Sequence, residues 1–144
     1  MSIQFNPEES RCTERQITIV SRDKGNPRMH KAYNRETEPY YVRHYKLDGE
    51  LVKQEKCCDF LLLNDSLKVA YLIELKGRNI GDAIPQLENA KKICQSELKG
   101  YTFLYRIVCS KVNTHDIHMS KFRKFKDKYG SKLLYKTNLI KEYL

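Results

Sequence analysis

Two apolar runs flanking a short polar turn constrain this chain more than any other feature. Cys58-Asp59-Phe60-Leu61-Leu62-Leu63 precedes Asn64-Asp65-Ser66, and Lys68-Val69-Ala70-Tyr71-Leu72-Ile73-Glu74-Leu75-Lys76 follows it. Short apolar runs bounded by turn residues read as buried strands. The pattern predicts a β-hairpin at the centre of a sheet.

The surrounding elements follow from the same periodicities. Tyr40 to Lys46 is rich in aromatic and β-branched residues, and Asp48-Gly49 then Glu50 to Lys53 predict a further hairpin. After Gly77 to Gly81, apolar Ala83, Ile84, Leu87, Ala90, Ile93, Cys94 and Leu98 recur at helical spacing, with Gly100 as the stop. Tyr101 to Cys109 is another strand, and a strand–helix–strand unit places it parallel to its predecessor. Asp116 to Tyr129 predicts a basic helix ending at Gly130, and Leu133 to Leu144 resists assignment. Pro7-Glu8-Glu9 suits the start of a helix running towards Ile19. The expected class is α/β (α+β), a mixed central sheet of four or five strands flanked by helices. Its 144 residues suit one domain. Residues 1–38 would be an N-terminal helix and loop, 40–110 the core, and 111–144 a basic C-terminal helical extension.

Charge narrows the partners. Lys+Arg 27 against Asp+Glu 18 gives a formal charge of +9. From Lys111 onward nine basic residues face three acids. Such a surplus suits a polyanion, because neutralised phosphates release counterions. Lys121-Phe122-Arg123-Lys124-Phe125-Lys126 reads as a helix burying its phenylalanines. Its bases, Lys121, Arg123 and Lys124 among them, either stay solvated or contact phosphate. Five cysteines, odd in number and lacking a C-x-x-C pair, point to reduced thiols rather than a disulfide framework or structural zinc. His115 and His118 are read as a surface pair for want of a third ligand. No apolar run nears the roughly 20 residues a membrane helix needs, and Met1-Ser2-Ile3-Gln4 opens no signal peptide. A cytoplasmic protein without membrane contact is the expectation.

The hairpin also carries chemistry. Centring the turn between Ser66 and Leu67 pairs Leu63 with Ala70 and sets Asp59 opposite Glu74. Directly opposed residues share a face, with Cβ atoms about 4.5–5.5 Å apart. Strand alternation adds Lys76 to that face and turns Leu75 away. Two carboxylates so close in an apolar hairpin are costly unless a cation neutralises them. Hard oxygen ligands suit Mg²⁺ or Mn²⁺, with the Leu75 carbonyl as a third protein donor. Lys76 would position or deprotonate the attacking water, and Arg78 lies near enough to touch substrate.

Asp59, the apolar strand and Ile73-Glu74-Leu75-Lys76 resemble the PD-(D/E)xK nuclease superfamily of restriction enzymes and Holliday-junction resolvases. The resemblance runs from about Tyr41 to Cys109, and the order of elements is similar to that family's αβββαβ core. It implies a restriction-endonuclease-like core and an endonuclease dependent on Mg²⁺ or Mn²⁺ that acts on nucleic acid, with DNA favoured over RNA. It also makes Gln86, on the following helix, the polar residue that supports the site. Cys58 replaces the family's proline, Ala90 stands where the tyrosine of a Q-x-x-x-Y pattern would fall, and Glu14, Glu36 and Glu38 are all candidates for the upstream acid. One site per chain implies a homodimer for cutting both strands. The alternative is a nuclease-like fold that no longer cuts and binds nucleic acid or protein.

Overall fold

The central hairpin forms as its sequence pattern requires. Strands β4 (Phe60–Asn64) and β5 (Val69–Lys76) pair antiparallel, with Leu63 opposite Ala70 and Phe60 opposite Ile73. This computed structural model describes residues 3–76, 79–111 and 114–144, without the side chains of Thr114 and Asp116. The hairpin is the middle of a five-stranded mixed sheet ordered β3-β4-β5-β6-β7. β3 is Val42–Lys46, β6 is Thr102–Cys109 and β7 is Leu133–Thr137. Helix α1 (Ala83–Cys94) carries the chain from β5 to β6, which pair in parallel as a crossover demands.

Every residue of β4 is buried, because both faces of the sheet are covered. On one face, Leu61, Leu63 and Leu72 pack with Ile84 and Leu87 of α1 and with Phe122 and Phe125 of helix α3 (Ser120–Tyr129). On the other, Phe60, Leu62 and Ile73 pack with Ile19, Ala32 and Ile140. Those three belong to a second sheet ordered β1-β2-β8, from Thr18–Ser21, Met29–Tyr33 and Leu139–Tyr143. The chain is therefore α+β, a mixed five-stranded sheet with helices on one face and a small sheet on the other. All five cysteines are free, and four are buried. Among the described residues no helix is long and apolar enough to cross a membrane.

Four expectations change. The N-terminal helix is one 3-10 turn, Pro7–Glu9. Beyond it the Ser10 hydroxyl bonds the Cys12 carbonyl and the Gln16 side chain caps the Thr13 N–H, local bonds that compete with a helix. Ile19 then goes inward on β1. Glu50 to Lys53 is not a strand, although Asp48-Gly49 does turn the chain. Gly49, at φ +83°, closes a tight loop in which the Val52 N–H donates to the Leu47 carbonyl at 2.8 Å. β3 pairs with the apolar β4 instead, a partner that buries more surface than the charged 50–53 segment. The basic helix is split at Met119, whose backbone is extended at ψ 140°, into α2 (Thr114–His118) and α3.

The fourth change is the largest. Residues 111–144 are not a helical extension, because β7 and β8 extend both sheets. Asn138, at φ +64°, makes the turn between them, a conformation that asparagine tolerates. β8 then pairs in parallel with β2. Glu142 of β8 anchors this pairing in a buried charge cluster. The Arg106 guanidinium donates twice to its carboxylate, at 2.7 and 2.9 Å, and His30 Nε2 lies 2.7 Å away. These partners hold the Glu142 carboxyl down at about 2 against the opposing effect of burial.

A depressed carboxylate stabilises the fold above its unfolded pKa and loses that contribution as pH falls through the folded value. The Glu142 contribution should thus be full above about pH 4.5 and fade towards pH 2. Glu142→Ala should cost about 3 kcal/mol in urea unfolding at pH 7, because it strands a buried guanidinium. Arg106→Leu/Glu142→Leu should recover much of that loss.

Candidate active site

The acids sit where β4 and β5 leave the hairpin. Extending the observed register by one pair from Phe60–Ile73 sets Asp59 against Glu74. The backbone locks the two together: Asp59 N–H donates to Glu74 Oε1 at 3.2 Å, and Leu75 N–H donates to Asp59 Oδ2 at 2.8 Å. In a strand the N–H and C=O of one residue point to the same edge, so the Leu75 carbonyl leaves β5 on the edge where its N–H meets Asp59. The Leu75 side chain points to the opposite face, packed with Ile73 and Val108. Lys76 is half-buried at the end of β5, close enough for its charge to favour ionised Glu74.

Gln86 joins from the first turn of α1. With its amide nitrogen towards the acid it donates to Glu74 Oε2 at 2.7 Å and to the Asp82 carbonyl at 3.1 Å. The Asp82 carbonyl decides that orientation, because an amide oxygen there would face two acceptors. Asp59, Glu74, Leu75, Lys76 and Gln86 are thus brought together. Lys121, Arg123 and Lys124 lie apart from them, exposed on α3. Arg78 lies outside the described residues.

Glu74 is 3% exposed, and that burial dominates its chemistry. Burial first, then the charge and hydrogen bond of Asp59, push its carboxyl up to about 9. Lys76 and the Asp59 N–H pull the other way but do not prevail. Among the described residues no cluster of three or more His, Cys, Asp and Glu side chains surrounds a metal position. The donor set is two carboxylates and a carbonyl. It fits a hard divalent cation, since each bonded carboxylate oxygen keeps a second lone pair and Glu74 lacks full compensation for a negative charge.

Two residues missed by sequence reasoning also reach the site. Lys46, at the end of β3, places Nζ 3.3 Å from Asp59 Oδ1 and 2.8 Å from Asp23 Oδ1. Asp23 is therefore the upstream acid that comes near. Glu14, Glu36 and Glu38 belong to segments tied to the other end of β3, through the Val42 N–H and the Asn34–Tyr40 loop. The lone signal for Lys46 was strand parity, which sends it with Val42 and His44 to the small-sheet face. Its reach around Phe60, whose ring lies 4.8 Å from Nζ, is a tertiary matter.

Comparison of the chain with protein-family models, with curated proteins and with solved structures finds no match. The reading of this site rests on its residues and geometry.

A carboxyl raised by burial binds its proton more tightly folded than unfolded, so it favours folding at low pH. That contribution is present below about pH 4.5 and is lost as pH rises towards 9. Glu74→Gln should therefore be more stable than the parent at pH 8 in chelator, by about 1–3 kcal/mol. Urea unfolding at pH 5 and pH 8 should show that gap narrowing at the lower pH.

Proposed function

We propose that this chain is a Mg²⁺- or Mn²⁺-dependent nuclease that hydrolyses phosphodiester bonds in nucleic acid, with DNA favoured over RNA. The single observation that carries the reading is the pair of backbone bonds, Asp59 N–H to Glu74 and Leu75 N–H to Asp59, that concentrates two carboxylates beside Lys76 at a buried sheet end. Local structure alone gives no reason to place them so, since a buried pair of acids opposes folding at neutral pH. The order β3-β4-β5-α1-β6 within a mixed sheet also agrees with the PD-(D/E)xK resemblance.

In this reading Asp59, Glu74 and the Leu75 carbonyl would hold the divalent ion. The ion supplies Lewis acidity towards the phosphate and lowers the pKa of water. Gln86 fixes the rotamer of Glu74, and the Leu75 N–H fixes that of Asp59. Lys76, as an ammonium, would orient the attacking water and offset charge building on the phosphate oxygens. A chain with one such site would cut both strands of a duplex as a homodimer.

A second reading, a nuclease-like fold that binds nucleic acid or protein without cutting, draws on one observation. Lys46 already gives Asp59 a cationic partner at 3.3 Å. Calorimetric titration of Mn²⁺ separates the two, because a binding module need not take up metal.

Incubation with supercoiled, linear and single-stranded DNA and with RNA, each with and without Mg²⁺ or Mn²⁺, tests the proposal. Metal-dependent cleavage is expected, falling about 100-fold or more in Glu74→Ala and in Lys76→Met while the circular dichroism spectrum is kept. Equal cleavage by Glu74→Ala and the parent would remove the assignment.

A further inference from the structure

A cleft of about 210 Å³ lies between α1 and α3, lined by Ile84, Glu88, Lys121, Lys124, Phe125 and Lys128. Its floor is apolar and closed, with Ile84 2% and Phe125 3% exposed. Its α3 wall is basic for a geometric reason: residues 121, 124 and 128 recur at three- and four-residue spacing and share one face. Arg123 falls on the opposite flank with Lys126, whose Nζ lies 5.9 Å from the Tyr135 ring. The grouping of Lys121, Arg123 and Lys124 expected from sequence is thus re-sorted, with Lys128 replacing Arg123 at the cleft.

The three ammonium groups span about 10 Å of helix at about 1.5 Å rise per residue. A nucleic-acid strand carries a phosphate at every nucleotide, so a span of this length meets more than one of them. The cleft takes its α1 wall from Ile84 and Glu88, while Gln86, two residues from each, projects to another flank of the helix towards Glu74. α3 packs against the 3-10 turn Ile80–Asp82 that leads into this end of α1. The acid in the lining is Glu88, exposed on the α1 wall.

We propose that this cleft is the track for the sugar–phosphate backbone of one nucleic-acid strand, gripped by Lys121, Lys124 and Lys128 and opposed by Glu88. The inference deepens the nuclease reading, on which its link to the acids rests. Charge complementarity commits it to nucleic acid, and narrowness commits it to a single backbone.

The test is fluorescence anisotropy of labelled single-stranded and duplex oligonucleotides with the full chain in chelator, across a salt series. Lys121→Gln/Lys124→Gln/Lys128→Gln should weaken binding about ten-fold or more and lower the slope of log affinity against log salt by about 2–3. Arg123→Gln/Lys126→Gln/Lys132→Gln, with the same charge removed elsewhere, should shift affinity far less and leave the slope nearly unchanged. Glu88→Gln should tighten binding about two- to five-fold, which a merely solvated face would not do. Equal losses from both triple variants, no loss from the first, or retention on phosphatidylserine vesicles in place of oligonucleotides would overturn the proposal. The two readings fail separately. Lost binding in the cleft variant alongside a parent that never cuts DNA or RNA keeps the track and removes the nuclease. Metal-dependent cutting alongside unchanged binding in the cleft variant does the reverse.

Discussion

The pairing of β4 with β5 in one register governs both the core and the candidate site. Leu61 and Leu63 face the helices, while Phe60 and Leu62 face the small sheet. Slipping β4 by one residue would exchange these sets and would send Asp59 to the face opposite Glu74. The acids are thus held together by the same alternation that fills two apolar layers. Their meeting needs no special loop, because packing on both faces of the sheet enforces it.

That enforcement has an electrostatic cost concentrated at one side chain. Glu74 is buried against a second carboxyl, while Asp59 shares Lys46 with Asp23. Both accept from a backbone N–H, but Lys46 lies 3.3 Å from Asp59, whereas Glu74 is 3% exposed. Burial and the neighbouring Asp59 together push the Glu74 carboxyl up. Elsewhere the chain balances its buried charges. Glu142, which is also largely buried, is met by Arg106 and His30 and is driven the other way.

The parts of this arrangement legible in the sequence were those set by local counting. Turn position and strand parity suffice to align Leu63 with Ala70, and from there Asp59 with Glu74. Helical spacing suffices for α1, whereas Gln86 was singled out by the family resemblance rather than by spacing. Three things escaped. Asp48-Gly49 marked a real reversal, yet a turn dipeptide does not say which strand β3 will choose, and β4 outcompeted the local partner. Lys46 and Asp23 meet at the site through contacts between the two sheets, where no short-range pattern operates. β8 was opaque because its hydrogen-bonding partner is β2 rather than anything near it in the chain.

That last pairing has a kinetic meaning. His30 and Glu142 are 112 residues apart, so the small sheet is complete only after nearly the whole chain is available. Until then the apolar face formed by Phe60, Leu62, Tyr71 and Ile73 lacks part of its cover. Contacts of such high sequence separation form late and slowly, since loop closure precedes any gain from burial. The helix-covered core also waits for Phe122, Phe125 and Leu133, so the segment from α3 through β8 bolts both faces of the sheet in quick succession.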